Sequence, residues 1–252
     1  HIKRTSNDAV FETIPVTDAR VSGTGTATIT INPNSTFAGE TGYYVQIDAT
    51  AFDDPAGNSY AGISDKTVWN FVTEDITEPT VDTYSPADNA TGVAVGADLV
   101  LTFSEPVDVE SGNIEIFETV GDGLFESIPV TDARVTGTGT ATITINPTAS
   151  FASETGYYVL IDVTAFDDPS DNSYAGIADK TVWNFTSADV IAPTVSTYSP
   201  TDNATTVPVE ANLVLTFSES VDVESGNIEI RETVGGGLFE SIPVTDARVT
   251  GG

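Results

Sequence analysis

The chain has 252 residues, no cysteine, no methionine, one histidine, and 38 acidic against 8 basic side chains, a formal net charge of −30. Without thiols there is no disulfide or thiolate metal site, and with His1 as the only imidazole, Cys- and His-based nucleophilic schemes lack their parts, so no enzyme is expected. That sign of charge disfavours nucleic acid and anionic membranes, and no apolar run reaches the roughly 18 residues of a membrane-spanning helix.

In chain order, the first segment to stand out is Phe11-Glu12-Thr13-Ile14-Pro15-Val16-Thr17-Asp18-Ala19-Arg20-Val21. It returns as Phe125 to Val135, with Ser127 for Thr13, and again as Phe239 to Val249, an interval of 114 residues. Trp69 and Trp183, Tyr84 and Tyr198, and Leu99 and Leu213 keep the same spacing. Apolar alternation stops in the Pro-bearing stretches Asp75–Thr80 and Asp189–Thr194, which read as linkers. Residues 1–77 are therefore expected to be a partial repeat lacking its first strands. Residues 78–188 should be a complete repeat, and 189–252 a partial one lacking its last strands. With no Met at its start, the chain reads as a fragment or processed piece, any signal peptide lying outside it.

Within the repeat, Leu99, Leu101 and Phe103 alternate with Val100, Thr102 and Ser104, and Ile143 and Ile145 with Thr142 and Thr144. Tyr157, Val159, Ile161 and Val163 alternate with Tyr158, Leu160 and Asp162, and Trp183 and Phe185 flank Asn184. A period of two with one apolar face predicts half-buried strands, and about seven of them in some 110 residues predicts an all-β immunoglobulin-like sandwich in tandem. Differences between copies mark outer faces: Leu160 matches Gln46, and Phe117 matches Lys3 and Arg231, so these positions should face water. Alternation likewise sends Tyr43 and Trp69 inward and leaves Tyr44 outside.

Three motifs carry a resemblance. Pro79-Thr80 through Tyr84-Ser85-Pro86-Ala87-Asp88-Asn89-Ala90-Thr91-Gly92-Val93, then Leu101-Thr102-Phe103-Ser104-Glu105-Pro106-Val107, and Asp54-Pro55-Ala56-Gly57-Asn58 resemble the bacterial Ig-like repeats of giant surface proteins and adhesins, akin to those of S-layer proteins. The resemblance covers the whole chain. It implies a seven-stranded sandwich serving as spacer or presentation module, extracellular or on the bacterial cell surface. The second repeat departs at Asp168-Pro169-Ser170-Asp171-Asn172, where Asp replaces Gly.

The acidic residues suggest where a cation would sit. In an Ig-type sandwich the loops after the second and sixth strands lie at the pole where the chain enters. Here those loops carry Glu105, Asp108 and Glu110, and Asp167, Asp168 and Asp171; the linker brings Glu74, Asp75 and Glu78. Hard, oxygen-seeking Ca²⁺, with six to eight ligands, is the cation expected. Asp189, Glu219, Asp222 and Glu224 supply part of the next such junction. The function expected is a Ca²⁺-stiffened spacer of a secreted surface adhesin or filament, its neighbours being other repeats or other copies joined head to tail. A carbohydrate- or cell-binding module, or an accessory region of an extracellular hydrolase, is the alternative.

Overall fold

A computed structural model describes residues 1–251, which contain strands, turns and loops but no helix. Two compact units form, residues 1–188 and a second beginning at Asp189.

In residues 1–77 the strands are β1 (Ile2–Arg4), β2 (Val10–Glu12), β3 (Val21–Ser22), β4 (Thr30–Ile31), β5 (Gly42–Val45) and β6 (Asn70–Val72). They form a sheet ordered β2-β1-β5-β6 and a separate β3-β4 ribbon. Ile2, Tyr43 and Val45 are buried against Phe11, Ile14, Phe37, Ile47 and Phe71.

Residues 78–188 carry the next ten strands. They are β7 (Val81–Ser85), β8 (Ala90–Val93), β9 (Leu99–Val109), β10 (Asn113–Glu118), β11 (Leu124–Pro129), β12 (Val135–Thr136), β13 (Thr140–Ile145), β14 (Gly156–Ile161), β15 (Phe166–Asp167) and β16 (Asn184–Ser187). One sheet runs β11-β10-β14-β16-β8, and the other runs β12-β13-β9-β15 with β7 also on β9. The core lies between them. Leu99, Leu101, Phe103 and Val107 of β9 share a core with Ile114, Ile116, Tyr157, Val159 and Phe185 of the facing sheet and with Trp183 just before β16, all at most 2% exposed. Each such side chain contributes roughly 1.5–3 kcal/mol by leaving water. In each repeat copy an Arg is held by two acids of the shared segment: Arg20 by Glu12 and Asp18, Arg134 by Glu126 and Asp132, Arg248 by Glu240 and Asp246.

Three expectations about faces change. Tyr44 and its counterpart Tyr158 are only 3% and 5% exposed. Their outer side is roofed: the Tyr158 hydroxyl donates to Asp122 at 3.1 Å, Lys180 reaches the same carboxylate at 3.0 Å, and the Phe117 ring stacks on Tyr158 with centroids 5.2 Å apart. The aliphatic stem of a lysine covers apolar surface while its head stays wet. Asp8 and Lys66 do the same over Tyr44. Consequently Phe117, Leu160, Lys3 and Gln46 are partly covered rather than open to water, whereas Arg231 is exposed.

Trp69, expected inside, is 44% exposed, whereas Trp183 is 0% exposed. The difference lies in the front of the repeat. The Trp183 indole N–H donates to the Pro86 carbonyl at 2.8 Å, and the Tyr84 ring packs on it at 5.1 Å. Nothing in residues 1–77 corresponds to Tyr84 or Pro86.

The second unit contains β17 (Val195–Ser199), β18 (Val214–Phe217), β19 (Asn227–Arg231) and β20 (Leu238–Pro243), paired as β17-β18 and β19-β20. Leu213 and Leu215 are 61% and 49% exposed, while their counterparts Leu99 and Leu101 are fully buried.

Candidate metal centre

The linker, β9 and the turn after β15 converge within the first unit. One carboxylate oxygen from each of Asp75, Glu105 and Asp168 lies within 4.8 Å of the others. Their positions follow from local structure. Asp75 Oδ1 accepts from the Thr77 N–H at 2.9 Å, an Asx turn that fixes the linker. Asp168 is 2% exposed and caps its own turn. Its Oδ1 accepts the Ser170 and Asn172 N–H groups at 2.8 and 2.9 Å, and its Oδ2 accepts the Asn172 amide at 2.8 Å. That amide also donates to the Asp75 carbonyl at 3.2 Å, tying the linker to the turn.

Glu105 was expected in a loop. It lies inside β9, because β9 continues to Val109 through pairing of Val107 with Thr140, Asp108 with Asp167, and Val109 with Phe166. Burial raises its carboxyl pKa, and the charges of Asp75, Asp168 and Glu40, with a hydrogen bond to Asp75, push the same way. At Asp168 burial also pushes upward, but the hydrogen bonds from Asn172 and Ser170 outweigh it and the pKa is lowered.

Among the described residues, three of the nine first-junction carboxylates are gathered this way. Asp108 and Asp167 face each other as cross-strand partners. Burial first, then the charges of Glu110, Asp171, Asp108 and Asp168, raises the Asp167 pKa. Asp167 thus sits mainly with Glu110, Asp171 and Asp108, while Asp168 joins Asp75 and Glu105. Glu74, Glu78, Glu110 and Asp171 are exposed. In the second unit Asp189, Asp222 and Glu224 are exposed and Glu219 is partly covered; Asp189 Oδ1 accepts the Ile191 N–H at 2.9 Å. Sequence reasoning did not include Glu40, which the fold brings into the field of Glu105 from the preceding repeat.

The replacement of Gly57 by Asp171 leaves the turn intact. Both residues have positive φ, 85° and 65°, and Asp54-to-Asn58 and Asp168-to-Asn172 backbone bonds measure 3.0 Å in each copy.

A two-sheet sandwich without disulfides, repeated in tandem and carrying an acidic cluster beside its entering linker, defines an immunoglobulin-like structural module. The chain belongs to the bacterial Ig-like domain family, which matches it three times, at residues 2–73, 75–187 and 189–250. The crystal structure of the S-layer protein rSbsC is similar at 14% identity and a TM-score of 0.30, covering 67% of this chain and 22% of that one. The chain thus spans about a fifth of the length of that protein. No curated protein matches.

Proposed function

We propose that this chain is a spacer region of a secreted bacterial surface adhesin or filament, in which Ca²⁺ held at Asp75, Glu105 and Asp168 stiffens the join between successive repeats. The observation that carries this reading is the union of three carboxylates across a repeat boundary, one from the linker and two from the following sandwich. A set of oxygen donors without nitrogen or sulfur suits a hard cation, with water completing the six to eight positions. At an effective dielectric near 20, each pair of carboxylates that close repels by about 3 kcal/mol, so a divalent ion changes the sign of the local energy. Further support is the chain's composition: adjacent acidic modules repel, and tandem modules contact mainly their neighbours.

Isothermal titration of the 252-residue chain with Ca²⁺, paired with small-angle scattering, tests the reading. A saturable heat abolished by Asp168→Asn, with the maximum dimension increasing on Ca²⁺ addition, is expected. Absence of Ca²⁺ heat at millimolar cation would end it.

A further inference from the structure

The linker between the first two repeats is fixed at both ends by bonds that recur in the next copy. Upstream, the Glu40 N–H donates to the Glu74 carbonyl at 3.0 Å, as the Glu154 N–H donates to the Ala188 carbonyl at 3.2 Å. Downstream, the Thr80 N–H donates to Ser104 Oγ at 3.1 Å, and the Ser104 N–H donates to the Thr80 carbonyl at 2.8 Å. Thr194 and Ser218 repeat that pair at 3.0 and 2.8 Å. Between these anchors lie five residues, Asp75 to Pro79, which belong to no strand. As a flexible tether, five residues would leave the two anchors free to move over a distance on the order of 10 Å.

The following repeat holds them instead. Pro79 is buried, and the Asp75 carbonyl is gripped by one side chain, Asn172. A carboxamide offers two N–H donors. One goes to Asp168 Oδ2 at 2.8 Å, and the other to the Asp75 carbonyl at 3.2 Å. The turn itself aims this group: the Asn172 N–H donates to Asp168 Oδ1 at 2.9 Å, and the Asp168 N–H donates to the Asn172 carbonyl at 3.0 Å. Asn58 is held by Asp54 in the same way, its backbone and side-chain bonds both 2.8 Å long. A donor oriented beforehand grips the linker with little further loss of freedom. The Asp75 carboxylate carries a contrary force, because it lies within 4.8 Å of those of Glu105 and Asp168 and like charges that close repel.

We infer that Asn172 is a latch on the linker, which switches the first two repeats between one body and two bodies joined by a five-residue tether. One hydrogen bond closes the joint, and the charge of Asp75 works to open it. The latch lies beside the cation site proposed above but does not depend on an ion, since both of its bonds are made within the chain. Only an amide supplies both donors. An aspartate there would turn oxygen alone toward the Asp75 carbonyl and the Asp168 carboxylate.

Hydrogen–deuterium exchange of the intact chain, read by mass spectrometry with EDTA present throughout, tests the latch without any divalent ion. Asn172→Ala should speed exchange in the peptide spanning residues 73–81 roughly three- to tenfold, the worth of one hydrogen bond, and leave the β9 and β14 peptides unchanged. Asp75→Asn keeps the carbonyl but removes the charge, and should slow the same peptide below the parent. Asn58→Ala makes the matching change in the first repeat; its own turn should loosen as that of Asn172→Ala does, while the linker stays as slow as the parent's. A parent linker exchanging at the rate of an unstructured peptide would overturn the inference. So would an Asn172→Ala linker no faster than the parent's, an Asp75→Asn linker faster than it, or a linker loosened equally by Asn58→Ala. Calcium heat, or its absence, bears on the cation site and leaves these outcomes unaffected.

Discussion

Replacing Glu105 by Gln removes one charge from the cluster while nearly keeping its shape, and its effect should reverse sign with calcium. Glu105 lies within 4.8 Å of both Asp75 and Asp168. An effective dielectric of 20 gives roughly 3 kcal/mol of repulsion for each of those two pairs. Glu105 is only partly covered, so water and counter-ions reduce the net relief to about 1–2 kcal/mol. A unit of this size converts that to a rise of about 3–6 °C in midpoint in the presence of chelator. In excess Ca²⁺ the variant lacks one of three anionic ligands, and a loss of tenfold or more in affinity, about 1.4 kcal/mol, should leave it less stable than the parent. Differential scanning fluorimetry with EDTA and with saturating Ca²⁺ reads both arms. A variant that melts below the parent in EDTA would refute the repulsion, and equal Ca²⁺ shifts in the two proteins would refute the ligand role.

Stability in chelator should fall as pH rises from the ordinary Glu value of 4.5 through the raised pKa of Glu105, because over that window the folded state keeps a proton the unfolded chain has lost. Saturating Ca²⁺ should flatten that slope in urea titrations, and so should Glu105→Gln. At lower pH the opposite sign takes over. Hydrogen bonds to Arg20 hold Asp18 down to about 2, so its contribution is present above 3.8 and disappears as pH falls through 2. Asp171→Gly should stabilise the first unit by about 0.5–1 kcal/mol in urea, since Asp171 sits at φ 65° where the other copy has glycine, and it also removes a charge beside Asp167; a loss of stability would refute the strain argument. Tyr84→Ala should cost about 2–4 kcal/mol and make Trp183 as quenchable by acrylamide as Trp69, because Tyr84 is the ring packed on Trp183; an unchanged Trp183 environment would show that other groups bury it.

The 114-residue interval and the alternation at Leu99, Leu101 and Phe103 made the repeat and the inner face of β9 legible from residues alone. Tyr44 and Tyr158 were misplaced because a period of two assigns a face without saying what crosses it. Their cover comes from Lys66 and Lys180, which are distant in sequence. Trp69 was misplaced for the converse reason. Its alternation is that of Trp183, but the ring that would bury it lies in the front of a repeat, which residues 1–77 do not contain. For the acidic cluster, topology brought Asp75, Glu105 and Asp168 together in prospect. What could not be read was the extension of β9 past Pro106, which sets Asp108 opposite Asp167 and separates those two from Glu105.

The pairing of β8 with β16 has a mechanical consequence. The two strands come from opposite ends of the repeat and run parallel, with Phe185 beside Ala90 and Ser187 beside Val93. The Pro86 carbonyl receives the Trp183 indole, and Asp88 receives both the backbone and side-chain amides of Asn184, at 2.8–3.0 Å. Tension applied along the chain pulls these strands in opposite directions along their length. Their bonds are then loaded in shear, all together, instead of parting one by one as at the open end of a hairpin. Resistance to pulling is governed by the unfolding rate rather than the equilibrium. A repeat of modest thermodynamic stability can therefore hold a sustained load, and this small patch, not the large core, would set the force at which it yields.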